Sequence, residues 1–341
     1  MSDVENVKWG RICALLDIGV PVTTPHAVTG GLLHHMWQIV TDKGVFAVKV
    51  LNQEIMSRPG AKMNYRMSER VARRAHQNGI TAVLAKTFGD DPWIEFDGDY
   101  FMAFDWVEGD TLRPDECTET HAFKIGSILY QLHQLKIAVD DIDVPAFSIP
   151  DETWNLHVDE AREQGIDWGA PYEQFAHQLV TWGRRYAEAA QNIGTDYEIS
   201  HRDLDPKNVI WTPELTPYLI DWESAGYVHA TVELMEAAIN WSRSKNGMLD
   251  KGRFQAMLSA YLKAGGRVEV KATNALWVTM GGMLGWLEYN MRRSLDERTF
   301  GREERELGRQ EVKHTFQALT QLAESLPEYT SWVEEVKGSV L

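Results

Sequence analysis

The first third of the chain alternates hydrophobic and polar positions with a period of two, which is the spacing of a β-strand. Residues 28–40 predict a strand, a glycine turn and a second strand, and residues 45–51 predict a third. The runs 92–96 and 99–104 flank Asp97-Gly98, a dipeptide typical of tight hairpin turns. This pattern predicts an antiparallel sheet in the N-terminal part of the chain.

The alternation within 45–51 separates two faces of one strand. The side chains of one face are Phe46, Val48 and Val50, and those of the other are Ala47, Lys49 and Leu51. A small residue thus lies two positions before a lysine, so that Ala47 leaves space for a flat purine and Lys49 reaches towards phosphates. The glycine pair Gly30-Gly31, one hairpin earlier, strengthens this interpretation. The alternative is an exposed lysine on an edge strand.

The hydrophobic period lengthens to that of an amphipathic helix in the rest of the chain. Helices are predicted at 64–78, 119–136, 151–195, 231–241, 252–264, 271–294 and 301–325. The sequence therefore predicts an α+β fold of two lobes. The N-terminal nucleotide-binding lobe, 1–105, combines the antiparallel sheet with one key helix. The larger, mostly helical C-terminal lobe, 106–341, has helical additions at about 150–195 and 250–341.

The formal net charge of -16 is unevenly distributed along the chain. Residues 1–105 contain 11 Lys or Arg against 12 Asp or Glu, whereas residues 106–341 contain 23 against 38. Nucleic acid is an unsuitable partner for such a surface, because binding to a phosphate backbone depends on clustered cations. A small molecule with a cationic group would be attracted. The alternative is that the acidic surface only keeps the protein soluble.

The sequence also limits the cellular setting. The first residues are acidic and no long apolar segment follows them, so we expect no signal peptide. The most apolar stretch, 277–287, contains three glycines and is too short for a membrane span. Cys13 and Cys117 lie far apart and match no zinc-site spacing. A reducing cytoplasm is the expected location.

The strongest candidate chemistry lies in residues 201–208, His-Arg-Asp-Leu-Asp-Pro-Lys-Asn, and in the apolar run that ends at Asp221. Phosphoryl transfer requires a carboxylate that accepts the acceptor's hydroxyl proton and oxygen ligands that place magnesium on the phosphates. Asp203, Asn208 and Asp221 supply these groups, and the interval between Asn208 and Asp221 leaves room for one hairpin. Asp, Pro and Asn are also common turn residues, which is the alternative explanation.

Three further positions complete the sequence-based site. Glu69 is the one acid in the helix 64–78 and is a candidate partner of Lys49; the alternative is an exposed pair with Arg73 at i+4. The strand 99–104 runs into a loop, and the backbone there would hydrogen-bond an adenine edge. Phe104 and Trp106 are the nearest candidate residues for this contact. His133 lies beside apolar helix positions and is interpreted as a structural histidine.

In their order along the chain, these motifs resemble those of the aminoglycoside phosphotransferase and choline kinase superfamily, which has a protein-kinase-like fold. The resemblance extends over about residues 25–245. It rests on Gly30-Gly31, Ala47-x-Lys49, Glu69, Glu108-Gly109, Leu129-x-x-Leu132-His133-x-Leu135, His201-x-Asp203-x-x-x-x-Asn208 and Ile220-Asp221-Trp222-Glu223. It implies ATP or GTP with magnesium as co-substrate, and phosphorylation of a hydroxyl on a small molecule.

The resemblance also implies roles for individual residues. Asp203 would be the catalytic base, Asn208 and Asp221 would hold magnesium, and Lys49, oriented by Glu69, would hold the nucleotide phosphates.

The chain departs from the family pattern at three places. Many members have glycine at the position of Arg202, histidine is frequent at that of Asp205, and Asp-Leu-Ala often occurs where this chain has Glu233-Leu234-Met235. Protein kinases usually place a lysine two residues after the catalytic aspartate, where this chain has Asp205. Lys207, with Arg202, is therefore a candidate source of positive charge beside the transferred phosphate.

Several functions agree with these motifs. The first is an O-phosphotransferase that acts on an antibiotic such as an aminoglycoside. A choline, ethanolamine or homoserine kinase is the alternative, because some of the 13 tryptophans would suit an ammonium group, although most tryptophans at helical spacing belong to the core. Uncharged antibiotic acceptors remain open. A protein kinase is disfavoured, because no Ala-Pro-Glu follows Asp221. A nucleotide-binding module without catalysis is also disfavoured, because such a module would not need all four of Lys49, Asp203, Asn208 and Asp221.

Overall fold

The computed structural model describes residues 3–28, 34–137, 149–173, 176–245, 247–268 and 270–340. The chain divides into two compact units. The first consists of Met1–Arg113, Gln134–Ile142 and Ile199–Gly226, and the second of Pro114–His133, Asp143–Glu198 and Tyr227–Leu341. Residues 199–226, which contain the motif around Asp203, therefore group with the N-terminal sheet. The predicted lobe boundary after residue 105 stays a prediction.

The described strands are β1 His26–Val28, β2 His35–Thr41, β3 Gly44–Leu51, β4 Ile94–Phe96, β5 Asp99–Asp105, β6 Asp110–Thr111, β7 Tyr197–Ser200, β8 Val209–Trp211, β9 Pro217–Leu219 and β10 Gly226–His229. The described helices are α1 Asp3–Leu15, α2 Gln53–Met56, α3 Ala61–Gln77, α4 Glu119–Gln134, α5 Asp151–Glu163, α6 Gly169–Glu173, α7 Ala176–Asn192, α8 Ala230–Ser242, α9 Lys251–Lys263, α10 Ala272–Leu295 and α11 Arg302–Val340. Short 3-10 turns cover Pro114–Glu116, Pro206–Asn208 and Trp222–Ser224.

The first unit contains a five-stranded antiparallel sheet in the order β1-β2-β3-β5-β4. The two faces predicted for β3 are confirmed. Phe46, Val48 and Val50 pack in one apolar cluster with residues of α1, and Leu51 belongs to a second cluster with Tyr65 of α3. The packing of these alternating side chains fixes the register, since a shift by one residue would move each of them to the opposite face of the sheet.

The Asp97-Gly98 turn forms as predicted. Phe96 pairs with Asp99, so the loop has two residues, and both have positive φ angles of 55° and 81°. Positive φ at both central positions is the backbone of the turn that matches strand twist in a two-residue hairpin. The turn therefore joins β4 to β5, the strand that leads to Trp106.

A smaller sheet in the same unit, in the order β6-β8-β9, supports the motif residues. The hairpin predicted between Asn208 and Asp221 is present, because β8 pairs with β9 and Val209 lies opposite Leu219. Pro206 starts a 3-10 turn, and Asp205 before it is extended. The extended conformation of Asp205 is the one that a proline favours in the residue before it.

The second unit is mostly helical. Phe254 of α9 packs against Tyr329 and Trp332 of α11. The last helix was predicted to end at residue 325, but α11 continues through Pro327 to Val340. Proline removes one backbone hydrogen bond and costs about 3 kcal/mol in a helix interior. The apolar stripe beyond it, which includes Trp332 and Val336, stays buried and offsets that cost.

The predicted α+β class, with an antiparallel N-terminal sheet and a larger helical part, is confirmed. No helix among the described residues has the length and apolar character needed to cross a membrane.

Candidate active site

The loop 201–208 brings Asp203 and Asn208 into direct contact. The Asn208 side-chain amide donates to Asp203 Oδ2 over 2.9 Å and to the Asp203 carbonyl oxygen over 2.8 Å. Because its Nδ2 is used in this way, the amide presents Oδ1 as its remaining acceptor. Asn208 is buried, whereas the Asp203 side chain is one-third exposed. The arrangement leaves a positioned carboxylate that is open to a ligand.

His201 connects this loop to the strand that leads to Asp221. Its Nε2 lies 3.0 Å from the Ile220 carbonyl oxygen, and its Nδ1 accepts from the Asp203 N–H over 3.3 Å. The histidine therefore carries its proton on Nε2. The ring is fully buried and packs on Trp222, with ring centroids 4.6 Å apart. The candidate base and the candidate metal ligand are thus held by one side chain.

Two non-glycine residues of the site have left-handed backbone conformations. Arg202 has a φ of 64° and Asp221 a φ of 61°. This conformation costs about 1–2 kcal/mol for a residue with a Cβ, and such strain concentrates at functional sites. Arg202 immediately precedes Asp203, and Asp221 is the candidate metal ligand itself, so the two positions flank the contacts of His201.

Lys49 extends from β3 to the segment 221–223. Its Nζ lies 2.9 Å from Asp221 Oδ1 and also binds Glu223 Oε1. Glu223 Oε2 lies 3.2 Å from His34 Nε2. Burial lowers the pKa of Lys49, but the charges of Glu223 and Asp221 outweigh burial and raise it. Lys49 is therefore a buried cation held by two carboxylates.

The pKa of Glu223 shifts in the opposite direction. Burial raises the pKa of this carboxyl, but the hydrogen bond from His34 and the charge of Lys49 outweigh burial and lower the pKa to about 2. Glu223 is consequently ionised throughout the physiological range.

Glu69 occupies a different position from the one expected. It is buried and accepts a hydrogen bond from the Ala85 N–H over 3.1 Å. The ion pairs that Lys49 makes with other described residues are those to Asp221 and Glu223, and the expected pairing with Glu69 is not formed. The i+4 residue Arg73 donates to the Ala85 carbonyl oxygen. Burial raises the pKa of Glu69 to about 7, against the lowering effects of the Ala85 N–H and Arg73.

The purine side of the expected nucleotide site lies on β3 and β5. Ala47 pairs with Phe104, and Lys49 with Met102, so these side chains share one face. The Trp106 N–H donates to the Val45 carbonyl oxygen, which directs the Trp106 backbone towards β3. Gly30 and Gly31 lie outside the described residues.

Lys207 and Arg202 surround the catalytic loop. Lys207 Nζ lies 3.8 Å from Asp203 Oδ2 and 3.7 Å from Asp205 Oδ2, and the lysine side chain is 62% exposed. A Cβ on Gly226 would lie 3.0 Å from Arg202 Nη1, so the Arg202 guanidinium lies beside Gly226. Lys207 is thus paired with the candidate base.

The structural interpretation of His133 agrees with its contacts. The imidazole is buried, with Nδ1 2.8 Å from the Tyr261 hydroxyl and Nε2 2.7 Å from Glu233 Oε2. Glu233, which replaces the aspartate frequent in the family, therefore serves as the buried partner of this histidine.

The sequence interpretation assigned no role to Glu223, His34, Tyr65 or His201. Glu223 and His201 were visible within the quoted motifs, and their proximity to the candidate base and metal ligand was the available signal. His34 and Tyr65 gave no local signal, since the contact of His34 with Glu223 and that of Tyr65 with His34 depend on the tertiary fold.

The donor set fits a magnesium ion that is bound together with a nucleotide. Asp221 presents a carboxylate with a side chain 39% exposed, and Asn208 presents Oδ1. Magnesium prefers such oxygen ligands and usually takes one or two from the protein and the rest from phosphates and water. No group of three or more His, Cys, Asp or Glu residues suited to a metal occurs in the part of the chain that the structure describes.

Comparison with known proteins gives a consistent result. Residues 25–268 match the model of the phosphotransferase enzyme family. The fold is similar to that of spectinomycin phosphotransferase APH(9)-Ia, solved with ADP and spectinomycin, with a TM-score of 0.71, 14% identity and coverage of 93% of this chain and 98% of that one.

Two further solved structures are similar. A choline/ethanolamine kinase family protein from Mesorhizobium loti has a TM-score of 0.60, 15% identity and coverage of 97% and 98%. Amicoumacin kinase hAmiN, solved with AMP-PNP, Ca²⁺ and Ami, has a TM-score of 0.62, 12% identity and coverage of 92% and 96%. At these identities the likeness establishes the fold. No curated protein matches the sequence.

Proposed function

The chain belongs to the phosphotransferase enzyme family, as its motifs indicated, and from this premise we propose that it transfers the terminal phosphoryl group of ATP or GTP to a hydroxyl of a small molecule. The proposal rests mainly on the contact between Asp203 and Asn208, because it joins a candidate base to a candidate metal ligand. The most favoured acceptor is an antibiotic such as an aminoglycoside.

Each polar group of the site has a role in this reaction. Asp203 accepts the proton of the acceptor hydroxyl as that oxygen attacks phosphorus. Asn208 Oδ1 and Asp221 would hold Mg²⁺, which when bound would neutralise charge on the phosphates. Lys49 binds the nucleotide phosphates from the same side as Asp221, to which it already lies close. Lys207, near Asp203 Oδ2, contributes positive charge where the phosphoryl group passes.

The purine lies on the Ala47 face of β3, with Phe104 beside it. Because the Trp106 N–H is used by Val45, the backbone groups left for the purine edge belong to the alternate residues Asp105 and Val107. This modifies the expectation from sequence, which named Phe104 and Trp106. Phe104 keeps a role through its ring, which packs against the apolar cluster that contains Met102.

The charge of the chain favours a cationic acceptor. Residues 106–341 contain 38 Asp or Glu against 23 Lys or Arg, and such an excess raises the local concentration of cations. Aminoglycosides, choline and ethanolamine all bear positive charge, so the second candidate function, a choline or ethanolamine kinase, shares this argument. Cys13 and Cys117 are buried thiols that are not joined in a disulfide, which agrees with a reducing cytoplasm as the proposed location.

A substrate-panel assay tests the proposal. The full chain is incubated with Mg²⁺ and ATP or GTP, together with spectinomycin, other aminoglycosides, choline, ethanolamine, homoserine, an uncharged macrolide and a generic peptide. Mass spectrometry detects phosphorylated products. We expect transfer to a cationic small molecule and none to the peptide. Nucleotide binding without transfer to any acceptor would contradict the proposal and favour a non-catalytic binding module.

A further inference from the structure

The fold pairs Lys49 with a different carboxylate from the one that the sequence suggested. We propose that Glu223, rather than Glu69, positions Lys49 for the nucleotide phosphates, and that His34 and Tyr65 hold Glu223 in place. Glu223 is thus a positioning residue that acts through Lys49. The role in nucleotide binding rests on the proposed phosphotransferase function, whereas the contact network stands on the geometry alone.

The two oxygens of Glu223 have separate partners. Oε1 binds Lys49 Nζ, and Oε2 lies 3.2 Å from His34 Nε2. A carboxylate held at both oxygens has little freedom to rotate, so it fixes the direction of the lysine ammonium as well as its charge.

The protonation of His34 follows from its other nitrogen. The Asn52 N–H donates to His34 Nδ1 over 2.9 Å, so Nδ1 has no proton and Nε2 has one. The Nε2–H is therefore directed to Glu223 Oε2. The His34 side chain is buried and is anchored to the backbone that follows β3, the strand of Lys49.

Helix α3 reaches the same carboxylate through Tyr65. The Tyr65 hydroxyl lies 3.1 Å from His34 Nε2, and Tyr65 is buried. Burial, followed by the charge of the nearby Glu223, raises the pKa of Tyr65, so the hydroxyl stays protonated beside the contact between His34 and Glu223. Tyr65 lies one helical turn before Glu69. Helix α3 therefore supports Lys49 indirectly, through the hydroxyl of Tyr65 and not through the carboxylate of Glu69.

Asp221 cannot replace Glu223 as the fixed partner. Its side chain is 39% exposed, against 28% for Glu223. It is also one of the two residues proposed to hold Mg²⁺. Glu223, with Oε2 already held by His34, is the carboxylate that keeps Lys49 in place with and without bound nucleotide. Glu69 is occupied elsewhere, since its Oε2 accepts from the Ala85 N–H.

The first test uses the nucleotide-free full chain labelled with ¹⁵N-lysine, in which the Lys49 ammonium resonance is assigned with Lys49→Met. Ammonium groups held in ion pairs exchange slowly with water and give a detectable signal. We expect the signal in the unchanged protein and in Glu69→Gln, and its loss in Glu223→Gln. Loss in Glu69→Gln with retention in Glu223→Gln would overturn the proposal. Retention in both variants would also overturn it.

The second test measures affinity for Mg·ATP by calorimetry. We expect Glu223→Gln to weaken binding about tenfold or more, and Glu69→Gln to weaken it by a clearly smaller factor. The exposed Glu95→Gln is the matched control and should bind normally. An equal or larger loss in Glu69→Gln would overturn the proposal. Thermal unfolding of each variant separates a lost contact from a lost fold.

A failure of the proposed function gives a different pattern. If the unchanged protein bound no nucleotide, the phosphotransferase proposal would fail, and the ammonium resonance would still decide between Glu223 and Glu69. A third readout is the ¹⁵N shifts of the His34 ring. A protonated Nε2 with an unprotonated Nδ1 is expected, and the reverse tautomer would contradict the network.

Discussion

The Asn208 amide donates to Asp203 Oδ2 over 2.9 Å, so the proposed metal ligand and the proposed base orient one another. Removal of Asn208 should therefore affect both functions. We predict that Asn208→Ala lowers kcat about 10–100-fold, which is the usual range for loss of a group that orients a metal site, and raises the Mg²⁺ concentration needed for half-maximal rate. Steady-state kinetics at several Mg²⁺ concentrations measures both. Asn64→Ala, exposed on α3, is the control; an unchanged Mg²⁺ requirement in Asn208→Ala would remove Asn208 from the metal site.

Lys207 lies within 4 Å of both Asp203 and Asp205, yet its side chain is largely exposed. A partly solvated charge is worth on the order of 1 kcal/mol, and this corresponds to about a fivefold change in rate. We predict that Lys207→Ala lowers kcat about fivefold with little change in the KM for nucleotide. Lys43→Ala, whose lysine pairs with Asp17 on an exposed turn, should leave both constants unchanged. Turnover as fast in Lys207→Ala as in this control would show that another group supplies the charge.

Glu69 should make stability depend on pH. Burial raises its folded-state pKa to about 7 from the ordinary 4.5, so the folded protein keeps a proton that the unfolded chain releases. The free energy of unfolding should therefore fall as the pH rises from 4.5 through 7, by on the order of 3 kcal/mol at about 1.4 kcal/mol per pKa unit.

Urea denaturation of the unchanged protein and of Glu69→Gln at several pH values measures this contribution. Glutamine still accepts from the Ala85 N–H but does not titrate. The stability of Glu69→Gln relative to the unchanged protein should therefore increase across the window. A difference that stays constant with pH would show that Glu69 is not the responsible group.

Gly109 permits the close approach of β6 and β8 next to the catalytic loop. It has a φ of 153°, and a Cβ there would lie 2.3 Å from the Trp211 carbonyl oxygen. Gly109→Ala should lower the free energy of unfolding by about 1–2 kcal/mol from backbone strain and by a further ~1–3 kcal/mol from the clash. Gly60→Ala, with a φ of 83° and no heavy atom within 4 Å, should show the strain alone. Equal losses in the two variants, measured by urea denaturation, would mean that the backbone at Gly109 relaxes without cost.

Local patterns in the sequence account for much of the fold. The alternation in β3 assigned Lys49 and Val48 to opposite faces, since burial makes the period of a strand unambiguous. The Asp97-Gly98 turn was predictable because its positive φ angles suit these two residues. The end of α11 was not predictable. Proline signals a helix end locally, whereas the burial of the apolar stripe beyond Pro327 depends on the tertiary fold.

The candidate site was only partly predictable, for a physical reason. Asp203 and Asn208 lie five residues apart, and one loop with a proline brings them together. Lys49 and Glu223 are separated by 174 positions, so no local pattern indicates which carboxylate meets the lysine. The sequence suggested Glu69 because it is the one acid of its helix. The fold directs Glu69 to the Ala85 N–H and leaves Tyr65 to contact the Glu223 network.

The most direct test of the phosphotransferase function is single-turnover transfer of the terminal phosphate by the unchanged protein and by Asp203→Asn, with the acceptor found in the substrate panel. Asparagine keeps the size of the side chain but cannot accept the hydroxyl proton, and a positioned general base contributes ~10²–10⁴-fold. We predict a rate lower by such a factor, with Mg·ATP affinity and thermal stability retained. A near-normal transfer rate in Asp203→Asn would contradict the assignment of Asp203 as the base.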